Sequence, residues 1–213
     1  MYADLKKKNQ SSEKVGGALM KCDMILAGVG GQGILSIATI FGYAAVESGL
    51  YLKQAEVHGM SQRGGDVQSH FRISDKPIYS DLVPMGKADL IISVEPMESL
   101  RYLPWLNPET GWLVTNANPL INIGNYPEQD ALNAELNKLP RKIVIDGDAI
   151  AKEVNNPRGM NMVVAGAASL FVGLDFELIK KGITTIFGSK SEEIVKSNID
   201  AIVAGREFAE KNR

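Results

Sequence analysis

The fold is decided by residues 22–45, which read CDMILAGVGGQGILSIATIFGYAA. The first six residues are a short apolar run of strand length, and the glycines that follow lead into apolar residues at helical spacing. Gly49 then ends the helical pattern. The pattern predicts one buried helix face, made of Ile34, Leu35, Ile37, Ala38, Ile40, Phe41 and Ala45. This succession of strand, glycine loop and helix is typical of the first unit of an α/β domain.

Further strands and helices alternate along the rest of the chain. Strand patterns recur at residues 51–57, 66–73, 88–94, 111–115 and 142–145. Helical patterns follow Pro96 and cover residues 161–174 and 176–187, and Asp175 is the expected N-cap of the last of these. Ser189 stands three residues before Glu192, which is the spacing of a capping box at the start of a further helix. We therefore expect one domain over residues 20–213, a three-layer α/β/α sandwich that is Rossmann-like with a mainly parallel sheet. Residues 1–19 are polar, and we expect a disordered tail there.

Charge and cysteine content exclude several classes of protein. The 213 residues carry 23 Lys and Arg against 25 Asp and Glu, so no overall positive field favours nucleic acid or an acidic membrane surface. Cys22 is the one cysteine, and it can neither form an internal disulfide nor alone hold zinc or an iron–sulfur cluster. Because the chain shows neither a membrane span nor the apolar core of a secretion signal, we expect a cytoplasmic protein.

The glycine loop is the first candidate site. Gly28, Gly30 and Gly33 have the spacing of a phosphate-binding loop between a strand and a helix, and Gly31 and Gln32 add a further glycine and an amide. Residues without Cβ let backbone N–H groups approach an anion, which the helix N-terminus also favours. A tight turn that binds no ligand is the alternative. A dinucleotide would also need an acid about 20 residues further on, and Glu56 lies 56 − 33 = 23 residues after the last glycine.

A second candidate segment is residues 55–69, AEVHGMSQRGGDVQS, which concentrates polar residues and glycines between two strands. In a doubly wound sheet the loop after the second strand lies beside the loop after the first, so both should open on one crevice. Arg63 is suited to bidentate contact with a phosphate or carboxylate, and Gly64 and Gly65 would bring amides to the same anion. Alternatively, Arg63 and Glu56 brace the loop, and His58 is structural.

The chain shows no chemistry of its own beyond these loops. His58 and His70 are the only histidines, and the sequence contains no nucleophile elbow of the form GxSxG. It also lacks metal-ligand spacing, a thiamine-diphosphate motif and a ferredoxin cysteine run. We therefore assign neither catalytic residues nor a metal site.

Two of these stretches carry a resemblance to a known family. Residues 28–45, GVGGQGILSIATIFGYAA, and residues 54–74, QAEVHGMSQRGGDVQSHFRIS, resemble the small subunit of 2-oxoacid:ferredoxin oxidoreductases. Within that family, they are similar to the beta subunits of indolepyruvate-type enzymes. ADLIISVEPMESLRYLPWL and NMVVAGAASLF extend the similarity, so that it covers roughly residues 20–210.

The resemblance implies that the cofactors and this chain belong to different subunits of one enzyme. A larger alpha subunit would carry thiamine diphosphate, Mg and iron–sulfur clusters, while coenzyme A takes the acyl group and ferredoxin takes the electrons. This chain would bind no cofactor alone, have no activity alone, and supply positioning to the assembly. Which 2-oxoacid is preferred stays open. The matched positions are Gly28, Gly30, Gly31, Gln32, Gly33, Gly59, Ser61, Gln62, Arg63, Gly64 and Gly65, to which the residue pattern adds Glu56.

Two other functions are compatible with the glycine loop. The first is a free Rossmann-type oxidoreductase that binds NAD(P). The second is a regulatory module that binds a nucleotide and catalyses no reaction.

Overall fold

A six-stranded sheet flanked by helices makes up the fold in the computed structural model, which describes residues 20–59 and 64–213. The strands are β1 (Lys21–Val29), β2 (Tyr51–His58), β3 (Asp66–Ser74), β4 (Leu90–Ser93), β5 (Trp112–Asn116) and β6 (Lys142–Ile145). The helices are α1 (Ile34–Glu47), α2 (Pro96–Arg101), α3 (Gln129–Asn137), α4 (Gly147–Glu153), α5 (Met160–Ala168), α6 (Phe176–Phe187) and α7 (Glu192–Asn212). The tail expected at residues 1–19 lies outside the described residues.

The strand order is β2-β3-β1-β4-β5-β6. Strands β1, β4, β5 and β6 pair in parallel, whereas β3 runs antiparallel to both of its neighbours, β1 and β2. The expectation of a mainly parallel sheet is confirmed. Strand β2 does not pair with β1, because the short connection after β2 returns the chain directly as the antiparallel strand β3, and β3 occupies the place beside β1.

Helices and irregular segments cover the two faces of the sheet. One face, with Met24, Leu26 and Phe71, packs under α1 and α5 in a core that also includes residues of α6 and α7. The other face, with Ile25 and Ile91, is covered by α2, α3 and the segment that contains Val83. These are the three layers of the expected α/β/α sandwich.

Several element details differ from the sequence expectations. The helix expected over residues 161–174 ends at Ala168, with Ser169 as C-cap. The N-cap of α7 is Ser191 and not Ser189; its side chain accepts the Ile194 N–H at 3.3 Å, and this start places two glutamates in the first turn, where the helix dipole favours them. Leu35 is exposed, because it lies one residue off the face that Ile34 begins.

Helices α5 and α7 touch through their backbones. A Cβ on Gly166 would lie 2.0 Å from the Ile202 carbonyl oxygen, and a Cβ on Gly205 would lie 1.9 Å from the Val163 carbonyl oxygen. Neither carbonyl belongs to a flexible side chain that could turn away. The close approach of the two helices therefore requires glycine at both positions.

We expect Gly205→Ala to separate these helices and to destabilise the fold by about 1–3 kcal/mol through overpacking. For a domain of this size that corresponds to a drop in Tm of about 2–12 °C. Gly124→Ala is the control, since a Cβ there would meet nothing within 4 Å. A thermal melt of Gly205→Ala that matches the wild type would contradict the close packing.

The segment between β3 and β4 is fastened to the sheet by polar side chains of β3. The Val83 N–H donates to Nδ1 of the buried His70 at 3.0 Å, and Arg72 donates to the carbonyl oxygens of Ser80 and Leu82 at 3.0 and 3.1 Å. Arg72 also forms an ion pair with Asp23. Since Nδ1 accepts this bond, His70 must be neutral there.

Burial, and secondarily the charge of Arg72, lower the pKa of His70 from its ordinary value of 6.5. Below about pH 6.5, His70 therefore becomes protonated in the unfolded chain while it is still neutral in the folded chain. The stabilisation of the folded state by neutral His70 is thus present above that pH and is lost as the pH falls through the lowered pKa. We expect Tm to fall more steeply between about pH 7 and pH 5 for the wild type than for His70→Gln, which cannot titrate. Parallel curves would show that His70 does not contribute.

Candidate functional site

Two glycine segments, residues 28–33 and residues 64–65, meet at the carboxyl end of β1; we call this part of the molecule the glycine edge. The Gly30 N–H donates to the Gly65 carbonyl oxygen at 2.8 Å. They meet because β3 begins beside the end of β1, with Asp66 opposite Val29. The juxtaposition expected from the sequence is therefore present, and the pairing of β3 with β1 produces it. Ser61, Gln62 and Arg63 lie outside the described residues.

The glycines of the loop serve different purposes. A Cβ on Gly28 would lie 2.4 Å from Val94 Cγ2, so Gly28 allows close packing of the loop on the end of β4. Gly33 is the N-cap of α1 with φ +82°, and its carbonyl oxygen accepts a hydrogen bond from Asn161 Nδ2 at 3.1 Å. Gly31 is exposed, has φ +100°, and would place a Cβ in open space. A ligand or partner can therefore approach the loop at Gly31.

The end of α1 behind this loop is electropositive. No acidic residue stands in its first turn, and its N-cap residue, Gly33, has no side chain that could accept from the free N–H groups. The partial positive charge of a helix N-terminus is therefore available to a nearby anion. This geometry fits the expected contact with a phosphate or carboxylate.

The Gln32 amide is used inside the loop. Its Oε1 accepts the Val29 N–H at 2.9 Å, and its Nε2 donates to the Val94 carbonyl oxygen at 3.4 Å. Gln32 thus fastens the glycine loop to the end of β4, so its amide is occupied by the chain's own backbone.

Glu56 lies on β2 and is separated from β1 by β3. Its carboxylate pairs with His58 Nε2 and accepts a hydrogen bond from Gln54 Nε2 at 3.3 Å. In a dinucleotide fold the ribose-binding acid follows the strand next to β1. The structure does not place Glu56 on that strand.

Residues 117–127, which we call the neutral loop because they include no charged residue, lie next to the glycine segments. Asn122 Nδ2 donates to the Gly64 carbonyl oxygen at 2.6 Å. The fully buried Glu95 carboxylate accepts from the Glu98 N–H at 2.8 Å, from the Leu120 N–H at 3.4 Å and from the Tyr126 hydroxyl. Burial and this bond raise the pKa of Tyr126, which keeps the hydroxyl protonated as the donor.

Amide and carboxylate side chains follow the next two strands of the same edge. Asn118 Nδ2 donates to Asp146 Oδ1 at 2.7 Å and to Asp148 Oδ2 at 3.1 Å. The Gly147 N–H donates to Asn116 Oδ1 at 3.0 Å. These bonds connect the ends of β5 and β6 and hold the start of α4.

The sequence reasoning missed Glu95, Asn122 and Asn161. Glu95 carried a signal, since an acid stands between a buried strand and the Pro96 that opens a helix. The two asparagines carried none, because each contacts a glycine segment that is distant in sequence: Asn122 is 58 positions from Gly64, and Asn161 is 128 positions from Gly33.

Residues 20–59 and 64–213 contain neither a metal-binding cluster nor a membrane-spanning helix. Within these ranges no group of three or more His, Cys, Asp and Glu side chains is placed to hold a metal ion. Cys22 is buried, and burial together with the nearby Asp89 and Asp23 carboxylates raises the pKa of its thiol. No helix in these ranges is both long and apolar enough to cross a membrane.

We expect Gln32→Leu to lower stability by about 1–3 kcal/mol, since it leaves the part-buried Val29 N–H without its acceptor. The corresponding fall in Tm is about 2–12 °C. Gln32→Glu keeps an acceptor for Val29 and should lose less. An unchanged Tm for Gln32→Leu would show that the amide is dispensable to the fold.

Comparison with known proteins gives consistent matches over most of the chain. The family model "Pyruvate ferredoxin/flavodoxin oxidoreductase" matches residues 23–208. The indolepyruvate oxidoreductase subunit IorB of Archaeoglobus fulgidus is 36% identical over 195 residues, which are 87% of this chain and 94% of that protein.

Two solved structures share the fold. The 2-oxoglutarate:ferredoxin oxidoreductase from Magnetococcus marinus, solved with 2-oxoglutarate, coenzyme A and succinyl-CoA bound, matches with a TM-score of 0.71 at 22% identity, over 90% of this chain and 31% of that chain. The keto/oxoacid ferredoxin oxidoreductase gamma subunit from Geobacter sulfurreducens matches with a TM-score of 0.65 at 23% identity, over 89% and 99%. The resemblance stated from residues 28–45 and 54–74 is confirmed, and the chain belongs to the pyruvate ferredoxin/flavodoxin oxidoreductase family.

Proposed function

We propose that this chain is the small, beta-type subunit of an indolepyruvate-type 2-oxoacid:ferredoxin oxidoreductase. The observation that carries the proposal is the 36% identity to an indolepyruvate oxidoreductase subunit over 94% of that subunit's length. The match covers 87% of this chain as well, so the proposal rests on most of both sequences.

The reaction is the oxidative decarboxylation of a 2-oxoacid, with the acyl group passed to coenzyme A and the electrons passed to ferredoxin. A larger alpha subunit holds the thiamine diphosphate, Mg and iron–sulfur clusters that supply this chemistry. The described residues of this chain do not fit a cluster: Cys22 is buried in the core with a protonated thiol, and no second cysteine exists. The chain's own contribution is therefore binding and positioning.

The glycine edge is the part of the chain that meets the ligand or the machinery. Gly31 is exposed, and a Cβ there would meet no atom of the described residues within 4 Å. The N-terminus of α1 has no acidic residue in its first turn, and the Gly30–Gly65 bond holds the two glycine segments together. A phosphate of coenzyme A or an anionic group of the alpha subunit satisfies this arrangement. Arg63, two residues before Gly65, is the side chain that the sequence assigns to the same anion.

The isolated chain should show no 2-oxoacid oxidation and no bound iron, because it has a single cysteine. The measurements are turnover with a dye acceptor, and iron content after anaerobic purification. About four irons per chain would contradict the proposal. Saturable binding of NAD(H) by the isolated chain would contradict it as well and favour a free Rossmann enzyme.

In the complex with the alpha subunit, Arg63→Lys tests geometry at constant charge, since lysine lacks the planar fork of arginine. Loss of one charge-assisted bidentate contact costs about 1.5–3 kcal/mol, which is roughly one to two decades in the coenzyme A requirement. Arg213→Lys, at an exposed position, is the matched control.

The result distinguishes three roles of Arg63. A raised KM for coenzyme A with assembly intact places Arg63 at the ligand, and failure to assemble places it at the subunit interface. Unchanged assembly and kinetics would make Arg63 a brace of its own loop and refute a shared anion site.

A further inference from the structure

The neutral loop, residues 117–127, has a composition unusual for a surface segment. It reads ANPLINIGNYP and contains no Lys, Arg, Asp, Glu or His, whereas the composition of the whole chain, 23% charged, would place about two or three charged residues in eleven. Charged residues are depleted at the centres of protein interfaces. The composition therefore favours a surface that another protein covers.

Three aliphatic side chains of the loop face solvent in the isolated chain. Leu120, Ile121 and Ile123 are 40%, 72% and 43% exposed. Single exposed aliphatic residues are ordinary, but three within four positions of a neutral segment form a patch of the kind that marks interaction sites.

The backbone of the loop is held in place before any partner binds. The buried Glu95 carboxylate accepts hydrogen bonds from the Leu120 N–H and the Tyr126 hydroxyl, and Asn122 donates to the Gly64 carbonyl oxygen. The exposed side chains thus stand on a backbone fixed on either side. Binding to such a surface loses less conformational entropy than ordering a free loop.

The position of the loop indicates the partner. Asn122 Nδ2 donates to the Gly64 carbonyl oxygen, so the exposed aliphatic side chains lie next to the glycine edge. The proposed function assigns this edge to contact with a ligand or with the alpha subunit. In the Magnetococcus chain the matched part accounts for only 31% of the polypeptide, so that this fold is joined there to further sequence of a different kind. Both observations favour a different protein domain over a second copy of this chain.

We propose that Leu120, Ile121 and Ile123 dock against an apolar, uncharged surface of the alpha subunit, and that Glu95 holds the loop in the docking conformation. This inference rests on the proposed function and adds to it the surface that makes the contact.

The test compares Ile121→Lys with Val46→Lys. Both residues are exposed aliphatics, with Val46 61% exposed on α1, and both variants should keep the wild-type Tm. Affinity for the alpha subunit is measured by sedimentation of mixtures over a range of concentrations. Because a lysine buried against an apolar surface loses its hydration, we expect Ile121→Lys to weaken binding at least about tenfold. We expect Val46→Lys to bind as the wild type does.

The other outcomes overturn the inference in distinguishable ways. If the wild type binds the alpha subunit and both Ile121→Lys and Ile123→Lys bind equally tightly, the loop is not the docking surface, and the proposed function stands. If Ile121→Lys instead dissociates a dimer of this chain and leaves binding to the alpha subunit unchanged, the occupant is a second copy. If the wild type itself does not bind, the proposed function fails together with the inference.

Discussion

The pairing of β3 with β1 is the constraint on which the arrangement of the site depends. Nine residue pairs, from Lys21 opposite Ser74 to Val29 opposite Asp66, join the two strands. This register brings the residues before β3 to the glycine loop and permits the Gly30–Gly65 bond. It also directs His70 and Arg72 toward the segment that closes the other face of the sheet.

The candidate site is built largely from backbone groups and from side chains that serve the fold. The polar groups of Gln32 and Glu95 could have faced a ligand, but both are bonded within the chain. Gln32 is bonded to backbone groups of Val29 and Val94, and the Glu95 carboxylate accepts from α2 and from the neutral loop. Among the described residues of this edge, an exposed glycine, the N-terminus of α1 and the neutral loop are available to a partner. Surfaces of this kind are what the proposed role, binding to and positioning of another subunit, requires.

Much of the fold could be predicted because its elements have strong local patterns. The strand Lys142–Ile145 and the helix Phe176–Phe187 have the bounds that their apolar patterns and the Asp175 cap indicate. The strand order could not be predicted, since a short connection is compatible both with a hairpin and with a turn before a crossover. The α7 cap was misplaced because Ser189 and Ser191 both precede a glutamate-rich turn. The same holds for the candidate site. Its glycines could be predicted from a local sequence motif, whereas Asn122 and Asn161 contact the glycine segments from distant positions in the chain.

The central claim, that this chain completes an oxidoreductase whose cofactors lie on another subunit, is tested most directly by reconstitution. The purified alpha subunit is titrated with this chain while 2-oxoacid-dependent reduction of ferredoxin is measured in the presence of coenzyme A. The account predicts a low rate for either protein alone and a rise to a plateau as the chain saturates its partner. A full rate from the alpha subunit alone, unchanged by addition of this chain, would contradict it.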